Sequence, residues 1–506
     1  MSKAKSSIFL SVASLFGLGL NFLALPWLML WIGPDEWGLF IFLQVISLYV
    51  GLIDVDLSNG AIKRMTEAFA LGDREGAWRV QRCQFGAHIA LAGIGFLAFL
   101  LLSTVLPLPQ TALPIEQAGW LFFLTGTNFV INALSAAMGP PFVAGEKFAA
   151  MAIRDSIQRV LAMAVAVWAA YTYGTLFAYL LAWNAAALFG FVLNFITLKI
   201  SFHDFRLAPA WDRSIMKDLF TIGVRGYVHR IGSVLANSVH LPLMAYAGNA
   251  ATAARYQLAG RIPEALMSVV SPGMQTVVPH LTREAADDPQ AFAKSVERYS
   301  LIALGAGIAL ILVPAGFGKA FLDLWARGNP ALSASASLVL VLLGGYFTLE
   351  LFYMMLTRAF HALGTPHYAA PFTLFNAAAT LVLTVPVVLN LGIAGVAAQN
   401  LAVGLVMLVP MVLVVKKRAA SELDVSRHVF RAVASLALGA AISVAAFWLV
   451  RTPVLEGRPW LALALVPLFS ACAFGLLVRL GLVPMPHAIA ARFRSKAVPD
   501  SVRNVA

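Results

Sequence analysis

The chain has 506 residues, of which 60% are hydrophobic and only 12% charged, with a formal net charge of +12. Soluble globular proteins carry nearer ~25% charged residues, so an ordinary soluble fold is excluded. The basic residues sit in alternate short connections between apolar runs and form no soluble basic face, which excludes a nucleic-acid partner and matches the positive-inside distribution of membrane proteins.

Taken in order, the apolar runs predict an all-α integral membrane protein of about fourteen transmembrane helices, each near the ~20 residues that cross a hydrocarbon core. They fall at 7–31, 38–57, 83–106, 117–138, 153–171, 175–198 and 219–247, then at 252–278, 296–317, 332–360, 368–389, 393–415, 429–450 and 460–482. The first run is too long for a signal-peptide core and lacks a small-residue cleavage site, so it reads as a retained span. Lys63, Arg64, Arg74, Arg79, Arg82, Lys199, Arg206, Arg213, Lys217, Lys416, Lys417 and Arg418 fall on one side, against Lys319, Arg327, Arg451 and Arg458 on the other. That bias places both termini in the cytoplasm. Contact with anionic membrane lipid is the simplest further use of the basic loops.

An offset of 216 residues carries Asn21 onto Asn237, Pro26 onto Pro242, Phe40 onto Tyr256, Thr66 onto Thr282 and Arg82 onto Arg298. Such matches predict a duplicated six-span unit. The expected organisation is an N-lobe at 1–200, a C-lobe at 218–415, an extra helix pair at 425–485 and a cytoplasmic tail at 486–506. Six spans per copy give both copies the same orientation, a parallel repeat of the kind whose halves enclose substrate in transporters.

Span seven carries Arg225, His229, Arg230, Asn237 and His240, and span eight carries Gln257, Arg261, Glu264, Ser268, Ser271 and Gln275. Arg225, His229, Asn237 and His240 recur at helical spacing, whereas Arg230 points about 140° away and equally suits a helix–helix contact. At ~1.5 Å per residue, Arg225 lies roughly 10 Å, His229 roughly 16 Å and Arg261 about 15 Å into the membrane. An ionised arginine at that depth costs at least ~2.5 kcal/mol unless it meets water or a partner. These residues therefore predict a cationic, water-filled vestibule, the alternative for Arg261 being a pair with Glu264. Among acids, Asp54, Glu264 and Glu350 are candidates to carry a coupling H+ or Na+, and a cap or loop contact is the competing expectation for Asp54 and Asp56. Glu350 shares a face with Tyr346, Tyr353, Thr357 and His361, as in a lined cavity, and Pro26, Pro242, Pro263, Pro272, Pro279 and Pro314 predict kinks. No Gly-x4-Gly-Lys-Ser/Thr loop, His-Glu-x-x-His or Gly-x-Ser-x-Gly occurs, so neither ATP hydrolysis nor another catalytic activity is expected, and no resident cofactor or metal.

The span count, the duplication and the added C-terminal pair resemble the multidrug/oligosaccharidyl-lipid/polysaccharide (MOP) exporter superfamily, with its MATE-like fold. Trp37-Gly-Leu-Phe-Ile-Phe, Gly51-Leu-Ile-Asp-Val-Asp-Leu-Ser and the Lys63-Arg64 segment closing on Leu71-Gly-Asp73 resemble its polysaccharide-transport, Wzx-type branch, which usually has Gly at the position of Asp56. The resemblance implies a V-shaped, two-lobed flippase of the bacterial cytoplasmic membrane. Its substrate would be undecaprenyl-diphosphate-linked oligosaccharide, a surface polysaccharide precursor, moved from inner to outer leaflet by alternating access. Polyprenyl-diphosphate-linked glycan and other polysaccharide-assembly membrane proteins are its implied partners. An anionic diphosphate suits arginine, whose fixed fork of donors matches phosphate oxygens. Three alternatives stay open: a lipid II flippase, a cation-coupled multidrug exporter and a membrane glycan polymerase or ligase.

Overall fold

A computed structural model of the chain describes residues 19, 22–109, 115–206, 208–275, 277–325, 330–363 and 365–485. Every regular element among them is a helix. The predicted first span is represented by α1, Phe22–Ile32. There follow α2 (Pro34–Val50), α3 (Leu57–Ala70), α4 (Arg74–Val105), α5 (Ile115–Ala136), the short α6 (Pro140–Ala144), α7 (Phe148–Tyr173) and α8 (Leu176–Ser201). The chain continues through α9 (Arg213–Ser238), α10 (His240–Ala247), α11 (Ala250–Gln275), α12 (Val278–Asp287), α13 (Pro289–Gly307), α14 (Val313–Gly316), α15 (Gly318–Trp325) and α16 (Pro330–Ala362). It closes with α17 (Ala370–Arg418), α18 (Val425–Leu449), α19 (Pro459–Ala464) and α20 (Val466–Arg479).

Nine helical stretches among the described residues are long and apolar enough to cross a membrane, so the chain is a multi-pass membrane protein. At 26 residues each, α7, α9 and α11 are also long enough but fall outside that apolar set. Several helices start where the sequence supplies a side-chain oxygen for the free N–H groups of a first turn. Asp73 accepts from Gly76 N at the start of α4, Thr175 from Ala178 N at α8, and Asp212 from Ser214 N and Ile215 N at α9. Asp288 and Asp424 do the same for α13 and α18.

Proline and glycine divide the longer runs. Span seven, predicted as one piece, is split into α9 and α10 at Val239. Pro242 has no N–H for the carbonyl four residues earlier, at Ser238, so the ladder breaks there. In α17 two predicted spans run on from one another and part at Gly392, whose φ of 61° and ψ of −159° glycine alone adopts without strain. Between α13 and α14 a π-helical turn, Ile308–Leu312, precedes Pro314, and Ser443 of α18 donates to the Leu312 carbonyl at 2.7 Å. By contrast α11 runs unbroken past Pro263, so no element ends at that expected kink.

Contacts divide the chain into two compact units. One takes Met1–Leu258 with Thr373–Asn390, the other Ala259–Phe372 with Leu391–Ala506. This division falls inside α11 and α17 and leaves α9 and α10 with the N-terminal unit. In the first unit α4 packs on α5, α7 on α8, α5 on α8, and α3 on α4, α6 and α9. Its core beneath α3 includes Leu57, Met65, Trp78, Phe142, Phe202, Phe205 and Leu219. The basic loop residues there are partnered: Arg64 with Asp218, Arg74 with Asp204 at 2.9 Å, and Arg79 with Asp212 at 2.6 Å. All three arginines are more than two-fifths exposed, so each pair is worth at most ~1 kcal/mol. In the second unit α16 packs on α12, α13 and α15, and α18 on α13 and α14.

Candidate functional site

The polar residues of the first unit converge where α2 ends. The expected span at 38–57 runs through Asp54, but α2 stops at Val50 and a 3-10 turn covers Gly51–Ile53. Asp54 is extended, with φ −74° and ψ 107°, and Asp56 is left-handed, with φ 58° and ψ 42°. Aspartate tolerates that conformation better than most side chains. A φ that favours glycine thus occurs where the resembled family carries Gly. Asp54 Oδ1 accepts from Leu57 N at 3.2 Å, and Asp56 accepts from the Asn59 side chain. Asp54 thus makes a local contact with the first turn of α3, while Asp56, the residue before that helix, makes no side-chain cap bond.

A helix ending in an irregular segment leaves carbonyls without intrahelical donors. Two of them are met by α9. The Tyr227 hydroxyl donates to the Leu52 carbonyl, and Arg230 Nη1 donates to the Asp54 carbonyl at 3.1 Å. The approach is close because of Gly223, where a Cβ would stand 1.9 Å from the Val55 carbonyl oxygen. Gly223, Tyr227 and Arg230 step by four and three, one face of α9. Arg230, a substrate-binding candidate, is therefore occupied with a backbone contact 176 residues away in sequence.

From α4 a further residue reaches this place that sequence reasoning missed. His88 is 2% exposed; its Nδ1 lies 3.0 Å from the Gln84 carbonyl, and its Nε2 lies 3.9 Å from Asp54 Oδ2. Nε2 has no hydrogen-bond partner. Gln84 donates through Nε2 to Ser58 Oγ at 3.1 Å. The available signal was Gln84 and His88 four residues apart inside an otherwise apolar run.

The other expected residues distribute as follows. Arg225 and His229 lie on α9, but their side chains are outside the described residues. Asn237 is exposed and donates back to the Ser233 carbonyl at 3.0 Å, while His240 is buried with its ring edge-on to Tyr256 at 5.0 Å. Arg261 pairs with Glu264, one turn on, at 3.0 Å, both side chains well exposed. On α16 the Tyr346 hydroxyl hydrogen-bonds Glu350, but Tyr353 is buried and donates to the Gly404 carbonyl. Thr357 and His361 bond to carbonyls of their own helix. The expected cavity-lining face is therefore a packed face at Tyr346 and Tyr353. No three His, Cys, Asp or Glu side chains gather to hold a metal among the described residues.

Outside the spans, the cap at the start of α9 has a defined electrostatic state. The backbone N–H groups of Ile215 and Ser214, with Arg79 behind them, hold the Asp212 carboxyl below the usual carboxylate range.

The fold defines the class of protein as a helical, multi-pass membrane protein. A model of the polysaccharide biosynthesis protein family matches residues 85–325. Among solved structures, the fold is similar to that of the lipid II flippase MurJ in an inward closed conformation, with a TM-score of 0.68 at 14% identity, covering 93% of this chain and 99% of that one. It is also similar to an inward-facing multidrug resistance MATE family transporter of the MOP superfamily, with a TM-score of 0.61 at 15% identity, covering 80% of this chain and 96% of that one. A MATE transporter of Vibrio cholerae gives a TM-score of 0.55 at 17% identity, covering 82% and 97% of the two chains. No curated protein sequence matches. The family match covers 85–325, just under half of the chain, and the fold is similar to that of these transporters.

Proposed function

We propose that the protein is a Wzx-type flippase that moves undecaprenyl-diphosphate-linked oligosaccharide, a surface polysaccharide precursor, from the inner to the outer leaflet of a bacterial cytoplasmic membrane. The observation that carries this reading is the match of 85–325 to the polysaccharide biosynthesis protein family on a MOP exporter fold. Arg225, His229, Arg230 and Asn237 on α9 and Arg261 on α11 are the assigned partners of the diphosphate, with Arg225 and Arg261 as its main counter-charges. The coupling ion, H+ or Na+, is assigned to one of Asp54, Glu264 and Glu350. The working unit is the duplicated pair of six-span lobes, 1–200 and 218–415, with 425–485 as an added pair.

Each charge-assisted contact contributes about 1.5–3 kcal/mol, so Arg225→Gln or Arg261→Gln weakens substrate binding roughly ten- to a hundredfold. Arg→Lys restores part of the loss, because a point charge lacks the bidentate fork. Since Arg261 pairs with Glu264, the double variant Arg261→Gln/Glu264→Gln separates the roles: it repairs a lost ion pair but not a lost substrate contact. Surface glycan in a flippase-null strain, normalised to folded protein in the membrane, is the readout. Normal export by folded Arg225→Gln and Arg261→Gln variants excludes the cationic contact.

The likeness in fold to MurJ favours a second reading, a lipid II flippase. Complementation decides: the chain restores surface glycan in a strain lacking its polysaccharide flippase and fails to rescue a strain lacking its lipid II flippase. The opposite result assigns lipid II.

A further inference from the structure

Among the described residues three arginines stand over an aromatic ring, and they differ in what their donors do. Arg154 lies 4.9 Å over Phe142 and bonds Asn194 and Asp155. Arg451 lies 3.5 Å over Phe447 and bonds the Phe447 carbonyl and Ser337 Oγ. Arg418, the last residue of α17, lies 5.0 Å over Tyr368 and makes no hydrogen bond or ion pair among the described residues. Stacking uses the face of a guanidinium and leaves its five N–H donors in the plane. The Arg418 side chain is therefore held in place with its whole fork unoccupied.

The surroundings favour an anion there. Tyr368 sits in a 3-10 turn, Pro366–Ala369, with its ring 4.3 Å from that of His367 and 5.9 Å from that of Phe360 on α16. The apolar stretch His367–Arg418 thus begins and ends at one place, since its last side chain meets the ring beside its first. The end of an apolar stretch is the level at which lipid phosphates lie. Lys416 and Lys417 are exposed in the same last turn as Arg418, and no Asp or Glu occurs between 351 and 421. In the first unit, by contrast, Arg64, Arg74 and Arg79 are each paired with an aspartate. The negative end of α17 favours cations in its last turn but gives no reason for an aromatic platform. We propose that Arg418, set on Tyr368 and flanked by Lys416 and Lys417, binds the phosphate of an anionic phospholipid headgroup. Two parallel N–H groups of the guanidinium take two phosphate oxygens, and the lysines add charge. None of these residues belongs to the proposed diphosphate contact.

Native mass spectrometry of the full chain in neutral detergent, titrated with phosphatidylglycerol, counts the bound lipid. Arg418→Gln should weaken the tightest lipid about tenfold or more, and Lys417→Gln about fivefold. Arg418→Lys recovers only part of the loss, because a point charge lacks the fork. Tyr368→Leu keeps every charge but removes the platform, and it should weaken binding about two- to fivefold, whereas Tyr368→Phe keeps the ring and binds as the parent does. If Arg418→Gln folds poorly, Tyr368→Leu against Tyr368→Phe carries the same comparison. Binding that follows net charge alone, with Arg418→Lys and Tyr368→Leu equal to the parent, overturns the site. Equal retention of phosphatidylglycerol and phosphatidylcholine overturns it too, and displacement of the lipid by inorganic phosphate assigns a free anion instead. The measurement needs no transported glycan, so a failure of export leaves it standing and its own failure leaves the export reading standing.

Discussion

Two arginines, Arg230 on α9 and Arg261 on α11, find their partners in opposite ways. Arg261 meets Glu264 one turn on, an exposed pair made within its own helix. Arg230 is half-buried and reaches across to the carbonyl of Asp54, made available because α2 ends and the backbone turns irregular. The local pair needs no tertiary structure and can be released to a ligand at small cost. The distant contact completes a backbone junction, so removing it disturbs two elements at once. Arg261 is therefore the one of the two that a ligand could engage without breaking a junction between elements.

The sharpest test of that contrast swaps glycine for alanine on each helix. At Gly223 a Cβ would stand 1.9 Å from the Val55 carbonyl oxygen, whereas at Gly260 the nearest atom, Leu343 Cδ1, is an ordinary 3.5 Å away. Gly223→Ala should cost about 3 kcal/mol, since backbone cannot step aside and the Tyr227 and Arg230 bonds go with it. Gly260→Ala should be neutral or stabilising by up to ~1 kcal/mol, the helix propensity gained over glycine. Thermal unfolding of the two purified variants in detergent checks this, and equal midpoints would erase the contrast.

Next in size is Arg230→Leu, which strands the Asp54 carbonyl and should cost about 1–3 kcal/mol, with Arg230→Lys recovering part of it. A variant as stable as the parent would mean that water or another donor takes the place. At the Arg261–Glu264 pair a double-variant cycle should return a coupling of only ~0.3–1 kcal/mol, as for other exposed pairs one helical turn apart. Coupling well above that would show the pair to be desolvated and the comparison with Arg230 mistaken.

The smallest effect concerns the first turn of α9. Asp212 is held below the usual carboxylate range by the Ile215 and Ser214 N–H groups and by Arg79. A depressed folded value means that its contribution is present above the unfolded value near ~3.9 and is lost as pH falls through the folded one. Unfolding midpoints followed from pH 7 downward should therefore drop less in Asp212→Asn than in the parent. Parallel curves would show that this cap does not set acid stability.

Much of the fold was legible because a membrane reads sequence plainly. Each segment must be long, apolar and internally hydrogen-bonded, so runs such as 83–106, 175–198 and 429–450 announce the helices found as α4, α8 and α18. Asp73, Asp212 and Asp288 mark helix starts for the same local reason. The Arg261–Glu264 pair was equally visible, since its partners are three residues apart.

Contacts between distant parts of the chain were not legible. The expected span at 38–57 carried Asp54 inside a helix, yet α2 ends four residues earlier and the acid accepts from Leu57 N at the start of α3. His88 drew no notice, because a lone histidine in an apolar run has no meaning until another element supplies Asp54 3.9 Å from its free nitrogen. Arg230 looked like one more charge on span seven until the fold gave it a carbonyl 176 residues away. Spacing along one helix is fixed by its 3.6-residue period and can be read from sequence, whereas the meeting of α4, α9 and the end of α2 depends on how whole helices pack.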